Sequence, residues 1–173
     1  MTETSITQVT TADLQASPSL REALLALNND HAVELSWADG ARLQNLVASA
    51  FLAERAGFAD ALLIAFDQDA DYDSFNFLWF RSRYARFVYV DRIVTAPEAR
   101  GRGLASTLYA RLIERAVAAS HERIVCEVNV DPPNPGSMAL HQSLGFVAVG
   151  NTRLPTGKTV SYLELKLPSR HQE

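Results

Sequence analysis

The run Arg100-Gly101-Arg102-Gly103-Leu104-Ala105 decides how this chain is read. It follows the apolar stretch Phe87-Val88-Tyr89-Val90-Asp91-Arg92-Ile93-Val94 and precedes Ser106-Thr107-Leu108-Tyr109-Ala110-Arg111-Leu112-Ile113, which has helical spacing. The order is strand, glycine-rich turn, helix start. The first N–H groups of a helix have no partner within it, and aligned peptide dipoles add positive potential at that end. Glycine lets a backbone approach a ligand with no Cβ in the way. Such a turn suits a phosphate or a diphosphate.

Three phosphate loops compete for this pattern. A nucleotide P-loop needs Gly-Lys-Ser/Thr, and this turn has no Lys. A dinucleotide fold needs a third glycine after an early strand. Here that glycine is absent and the turn lies past mid-chain. The spacing Arg-x-x-Gly-x-Ala of Arg100, Gly103 and Ala105, with Val94 and Pro97 upstream, resembles the acyl-CoA loop of the GNAT superfamily of N-acetyltransferases, in a bacterial branch of predicted acetyltransferases. Downstream come the apolar strand Val125-Cys126-Glu127-Val128-Asn129-Val130, the loop Pro132-Pro133-Asn134-Pro135-Gly136-Ser137, and Met138-Ala139-Leu140-His141-Gln142-Ser143-Leu144-Gly145-Phe146. This order is similar to the second half of the same family. Gly145 ends a helix.

Composition narrows the class. The 173 residues suit one domain with a real core. A hydrophobic content of 47% with net charge −4 excludes a disordered chain and a uniformly basic nucleic-acid binder. No apolar run reaches membrane-spanning length, and Met1-Thr2-Glu3-Thr4-Ser5 lacks the features of a signal peptide. Cys126 is the single cysteine, so no internal disulfide forms. A reducing cytoplasm is the expected location.

Along the chain, Ile6–Thr10 alternates like a strand. Ser17-Pro18 starts a helix, with Ser as N-cap, and Leu20, Leu24 and Leu27 share its face. A second helix is expected from about Asp39 to Ala53, broken at Gly57. Ala61–Phe66 reads as a strand buried on both faces. Residues 67–86 are an acidic, then aromatic and basic segment. The expected remainder is a strand 87–94, a helix to about Ser120, a strand 124–130, a helix 137–144, and strands near 146–150 and 160–167. No repeat or linker appears.

The resemblance implies one domain over 1–173, with CoA motifs in 87–150 and closing strands to about 167. It implies an α/β fold with a mixed, centrally splayed β-sheet flanked by helices on both faces. In this family two strands are usually joined by a short hairpin where this chain carries 67–86.

The resemblance also implies a cofactor site for acetyl-CoA, with no metal. Backbone groups of Ile93, Val94 and Thr95 would take the pantetheine arm. The turn Arg100, Gly101, Arg102, Gly103, Leu104, Ala105 and Ser106 would take the diphosphate. Asn134 matches a CoA-contacting asparagine, and Ser137 reads as a helix N-cap and secondary contact. Acetyl transfer to an amine of pKa about 10 requires a proton acceptor. Asp91, in the strand before the turn, is the candidate base. Arg92 looks a poor ion-pair partner for it, because adjacent strand residues face opposite ways. His141 stands four residues before Gly145, where many family members carry Tyr. With an ordinary pKa of about 6.5 it is the candidate acid for the leaving thiolate.

Asn29, Glu34, Phe77, Trp79 and Glu127 are the candidate acceptor-binding residues. The aromatic ones read equally as core, and Glu127 as a solvent-facing strand carboxylate. The expected acceptor is a small primary amine or an amino-acid-like molecule, not nucleic acid or membrane. The chain would act as a monomer or homodimer, by direct attack in a ternary complex. A non-catalytic acyl-CoA-binding module is the alternative.

Overall fold

A computed structural model describes residues 3–32 and 35–169. Its strands are β1 (Ile6–Gln8), β2 (Leu52–Ala56), β3 (Ala61–Asp67), β4 (Val88–Thr95), β5 (Arg123–Asp131), β6 (Val147–Arg153) and β7 (Thr159–Lys166). Its helices are α1 (Thr11–Ala16), α2 (Pro18–Asn29), α3 (Gly40–Ser49), α4 (Phe75–Arg81), α5 (Leu104–Ala118) and α6 (Pro135–Ser143). The fold is α/β, with a seven-stranded sheet in the order β1-β2-β3-β4-β5-β7-β6, flanked by helices. The sheet is mixed. β4 and β5 run parallel, with the register pairs Val88↔Ile124 and Tyr89↔Val125. The pairs β1–β2, β2–β3, β5–β7 and β6–β7 are antiparallel.

The chain divides into two compact units. The first runs to Phe66 and includes Val90–Leu112. Within it α1, α2 and α3 pack on one another and bury Leu14, Leu20, Leu24, Leu43 and Leu46. Local signals place these helices. Thr10 and Asp13 form a reciprocal capping box at α1, Ser17 caps α2 with Pro18 behind it, and Asp39 caps α3. Ala61–Phe66 of β3 are fully buried, as a strand covered on both faces must be.

The helix expected over 39–53 is shorter. Gly40–Ser49 is helical, and Leu52–Ala56 is instead the strand β2. Leu-Ala-Glu-Arg-Ala has good intrinsic helix propensity. Pairing with both β1 and β3 overrides it.

The second unit comprises Asp67–Tyr89 and the chain from Ile113. The aromatic stretch in 67–86 folds as α4, capped by Ser74, whose hydroxyl accepts from the Phe77 N–H. Phe77, Phe80, Phe87 and Tyr89 form one buried ring cluster, with Phe77 5.7 Å from both Phe87 and Tyr89. Helix α6 starts earlier than expected. Asn134 is its N-cap, accepting from the Ser137 N–H, so Ser137 lies inside the helix. Its end is a Schellman turn: the Phe146 N–H reaches His141 O, the Gly145 N–H reaches Gln142 O, and Gly145 has φ +98°.

Candidate functional site

The glycine elbow lies wholly in the first unit. Strand β4 delivers Ile93, Val94 and Thr95 to Ala96, whose N–H donates to Asp60 O at 2.8 Å. A single 3-10 turn, Pro97–Ala99, leads to Arg100 in extended backbone. Gly101 and Gly103 then take φ +79° and +72°. An L side chain in that region costs about 1–2 kcal/mol. A Cβ built on either glycine meets nothing within 4 Å, so the space before the elbow is open.

Helix α5 begins at Leu104, and its first ladder bond is Thr107 N–H to Gly103 O at 3.0 Å. The N–H groups of Leu104, Ala105 and Ser106 precede that bond and have no acceptor within the helix. Such N–H groups, with the helix dipole, are able to hold an anion. Leu104, Leu108, Tyr109 and Leu112 are buried and seat the helix. Arg111 adds a two-pronged clamp on buried Glu54, with Nε–Oε2 at 2.7 Å and Nη2–Oε1 at 2.9 Å. Two backbone positions reserved for glycine, open space and an aimed helix start fit a diphosphate.

Two arginines border the elbow. Arg102 donates to Thr4 Oγ1 and pairs with Asp60 at 3.5 Å. Both side chains are well exposed, so that pair is weak and exchangeable. Arg100 Nη2 lies 3.3 Å from His31 Nε2. His31 Nδ1 lies 2.8 Å from Leu27 O, which only accepts, so Nδ1 carries the proton and neutral Nε2 accepts from Arg100.

Asp91 and Arg92 do pair, contrary to the expectation from strand alternation. Arg92 Nε lies 3.0 Å from Asp91 Oδ2, and both side chains are buried. The main chain does alternate, and Arg92 takes an inward position between buried Val90 and Val94. Its long side chain curls back to the neighbouring carboxylate. Arg92 Nη1 also donates to Asn28 Oδ1 (2.5 Å) and Ser36 O (2.6 Å). Buried Asn28 donates from Nδ2 to Asn29 Oδ1 and Ser36 O, each at 3.0 Å. Asn29 exchanges two 2.9 Å bonds with the Ala38 backbone. Asn29 is thus a brace for the α2–α3 connection. Glu34 lies outside the described residues.

The second unit holds the other candidates. Tyr89 Oη donates to both oxygens of half-buried Glu127, at 2.9 and 2.8 Å. Phe77 is a core ring with no exposed surface. Trp79 stacks on Tyr162 at 4.1 Å, with the Arg83 guanidinium 3.6 Å over its ring. Asn134 uses its side-chain oxygen on the α6 cap.

His141 is buried, edge-on to Phe146 at 5.1 Å, with Nδ1 2.7 Å from Ser137 O. Burial pushes its pKa below the ordinary range, only partly offset by the Ser137 carbonyl. At neutral pH the ring is uncharged, and its proton sits on Nδ1 facing that carbonyl. In this arrangement Nε2 carries no proton, so the acid role expected for His141 requires the proton to move from Nδ1.

Residues 63–146 match the Acetyltransferase (GNAT) family. The chain belongs to the GNAT superfamily. The matched stretch runs from β3, through the elbow, to the turn that ends α6. Phosphinothricin N-acetyltransferase of Alcaligenes faecalis is 37% identical over 70 residues, which is 40% of this chain. The match spans about a third (34%) of that relative's length. A putative acetyltransferase from Salmonella typhimurium, solved with acetyl-CoA, superposes at TM-score 0.68 and 17% identity over 99% of this GNAT chain and 98% of that one. The ribosomal-protein-S18-alanine N-acetyltransferase from Escherichia coli gives 0.66 and 16% over 99% and 98%. Ard1 from Thermoplasma volcanium gives 0.73 and 10% over 97% and 100%. These likenesses show the shared fold.

Among the described residues, no cluster of three His, Cys, Asp or Glu side chains could hold a metal, and no helix is long and apolar enough to cross a membrane. Sequence reasoning missed two members of this GNAT chain's polar networks. Arg92 was legible as a cation at an inward strand position. Tyr89 gave no signal, because its partner Glu127 is remote in sequence.

Proposed function

We propose that this chain transfers an acetyl group from acetyl-CoA to a primary amine, as one domain. The observation that carries the reading is the elbow, where Gly101 and Gly103 hold positive φ against open space at the start of α5. Family membership and the amine-acetylating relative support it.

Bound acetyl-CoA supplies a thioester-activated acyl carbon. Backbone N–H groups of Gly101–Ser106 hold the diphosphate, with Arg100 and Arg102 adding positive charge. Backbone groups of Ile93, Val94 and Thr95 bind the pantetheine arm, and an N–H at Ile93 or Val94 polarises the acyl oxygen. The acceptor ammonium first gives one proton to the base. An N–C bond then forms as the C–S bond breaks, CoA leaves as its thiolate, and the second proton lost from nitrogen neutralises that thiolate. Asp91 is the proposed proton acceptor, held in place by Arg92. His141 instead anchors α6, next to the Asn134 cap.

Calorimetry with acetyl-CoA, and thiol release with primary amines including phosphinothricin, test this reading. The wild type binds and turns over. Gly103→Glu places a carboxylate where the diphosphate sits and loses at least about 100-fold in affinity, the scale of several charged contacts. Unchanged affinity in that variant contradicts the assignment. Tight binding with no turnover on any amine favours a non-catalytic module.

A further inference from the structure

We propose that Glu127 is the subsite for the acceptor's ammonium group, with Tyr89 as its positioning residue and α4 as the wall that selects which amines reach it. This rests on the acetyltransferase reading and adds the acceptor's charge and the residues that recognise it. All of the groups lie in the second unit.

Glu127 sits in the middle of β5 and pairs in register with Tyr162 of β7, so the two side chains share one sheet face. Tyr89 Oη donates to both carboxylate oxygens. A neutral hydroxyl fixes the carboxylate's rotamer without cancelling its charge. Tyr89 itself is buried among Phe77, Phe80 and Tyr72, so it acts through Glu127.

The opposite side is built by α4. Tyr162 Oη donates to Asn76 Oδ1 at 2.8 Å, and Trp79 stacks on the Tyr162 ring at 20° between planes. Burial first, and then the negative charge of Glu127, raise the Tyr162 hydroxyl above its ordinary pKa against the opposing Thr152 hydrogen bond and Arg83 charge, so it stays a donor. That bond sets the Asn76 amide, leaving Nδ2 as its donor side. Gly150, the register partner of Tyr162, makes room for the indole: a Cβ there would lie 2.8 Å from Trp79 Cζ2.

The segment that replaces the family's short hairpin thus brings Asn76 and Trp79 to the face that carries Glu127. Glu127, Asn76 and Trp79 each keep some exposure, whereas Tyr89 and Tyr162 are buried behind them. A half-buried carboxylate attracts an ammonium by charge and accepts its hydrogen bonds, while Trp79, with Tyr162 stacked on it and Arg83 over its ring, supplies the apolar edge. The acceptor class that fits is a cationic primary alkylamine with an apolar flank.

The test is an NMR titration of the CoA-loaded protein, which holds no acetyl group to transfer, with butylammonium chloride, and with butan-1-ol as the neutral isostere. The ammonium saturates, and the alcohol binds at least about tenfold more weakly. Glu127→Gln weakens ammonium binding about tenfold or more, on the scale of a charge-assisted hydrogen bond. Tyr89→Phe keeps the ring and weakens it about threefold to tenfold. Acetyl-CoA affinity is unchanged in both. Independently of any variant, ammonium affinity in the wild type falls as salt rises. Equal binding of ammonium and alcohol, salt-insensitive binding, or full affinity in Glu127→Gln overturns the subsite. Full affinity in Tyr89→Phe alone overturns the positioning role. Acetyl-CoA binding that is lost in Gly103→Glu leaves the parent reading standing in any of these cases.

Discussion

Replacing Arg92 with Met removes a guanidinium that is only 2% exposed and keeps most of its length. Asp91 Oδ2 and Asn28 Oδ1 each lose the Arg92 donor, while Ser36 O keeps the one from Asn28 Nδ2. The Asp91 side chain is itself 7% exposed, so its charge is left in poor solvent. Breaking a buried ion pair from one side costs about 3–5 kcal/mol. In a chain of this size that lowers the melting midpoint by on the order of 10 °C. Urea unfolding followed by circular dichroism measures the loss at pH 7. The double variant Asp91→Asn/Arg92→Met recovers part of it, because the buried carboxylate's charge is gone with its counter-charge. A loss in Arg92→Met below about 1 kcal/mol, the level of an exposed pair, refutes the reasoning.

Arg102 is the contrasting case, since its pair with Asp60 is exposed on both sides. Arg102→Ala changes stability by less than about 1 kcal/mol but weakens acetyl-CoA binding severalfold, and more at low salt, by calorimetry. Gly150→Ala forces a methyl against Trp79; urea unfolding shows a loss of about 1–3 kcal/mol, and the indole emission shifts. Stability also falls as pH drops. Burial lowers the pKa of His141 and His121 in the folded chain, so the unfolded chain takes up protons first, below about pH 6.5. Their contribution is whole above that pH and fades as pH falls toward the folded values. Urea titrations at pH 7.5 and 5.5 detect it, and His141→Leu flattens the slope; an unchanged slope contradicts the assignment.

Much of the fold was legible because short-range rules govern it. Ser17-Pro18 reads directly as a cap and first turn, and Gly145 as a helix end. The same rule applied to Asn134-Pro135 gives the true start of α6, ahead of the Ser137 cap that the sequence suggests. The signal for α1 lay in Thr10 and Asp13, a capping box with Asp in place of Glu. Helix α4 hid because Phe75–Phe80, apolar at every position but Asn76, shows no helical period, and only Ser74 marks its start.

Strand β2 was illegible locally, since its partners decide it. The elbow's glycines declared a backbone need that sequence alone can state. The contacts of Arg92 with Asn28 and of Tyr89 with Glu127 join residues far apart in the chain. No spacing rule reaches them. His141 shows a further limit: its residue type suggests an acid, but its burial and the Ser137 carbonyl facing Nδ1 are visible only in the fold.

The central claim is that the glycine elbow grips the diphosphate of acetyl-CoA. A crystal structure of the complex tests it most directly. The account predicts phosphate oxygens within hydrogen-bond distance of the N–H groups between Gly101 and Ser106. Acetyl-CoA bound with those groups untouched and its diphosphate elsewhere on the chain contradicts it.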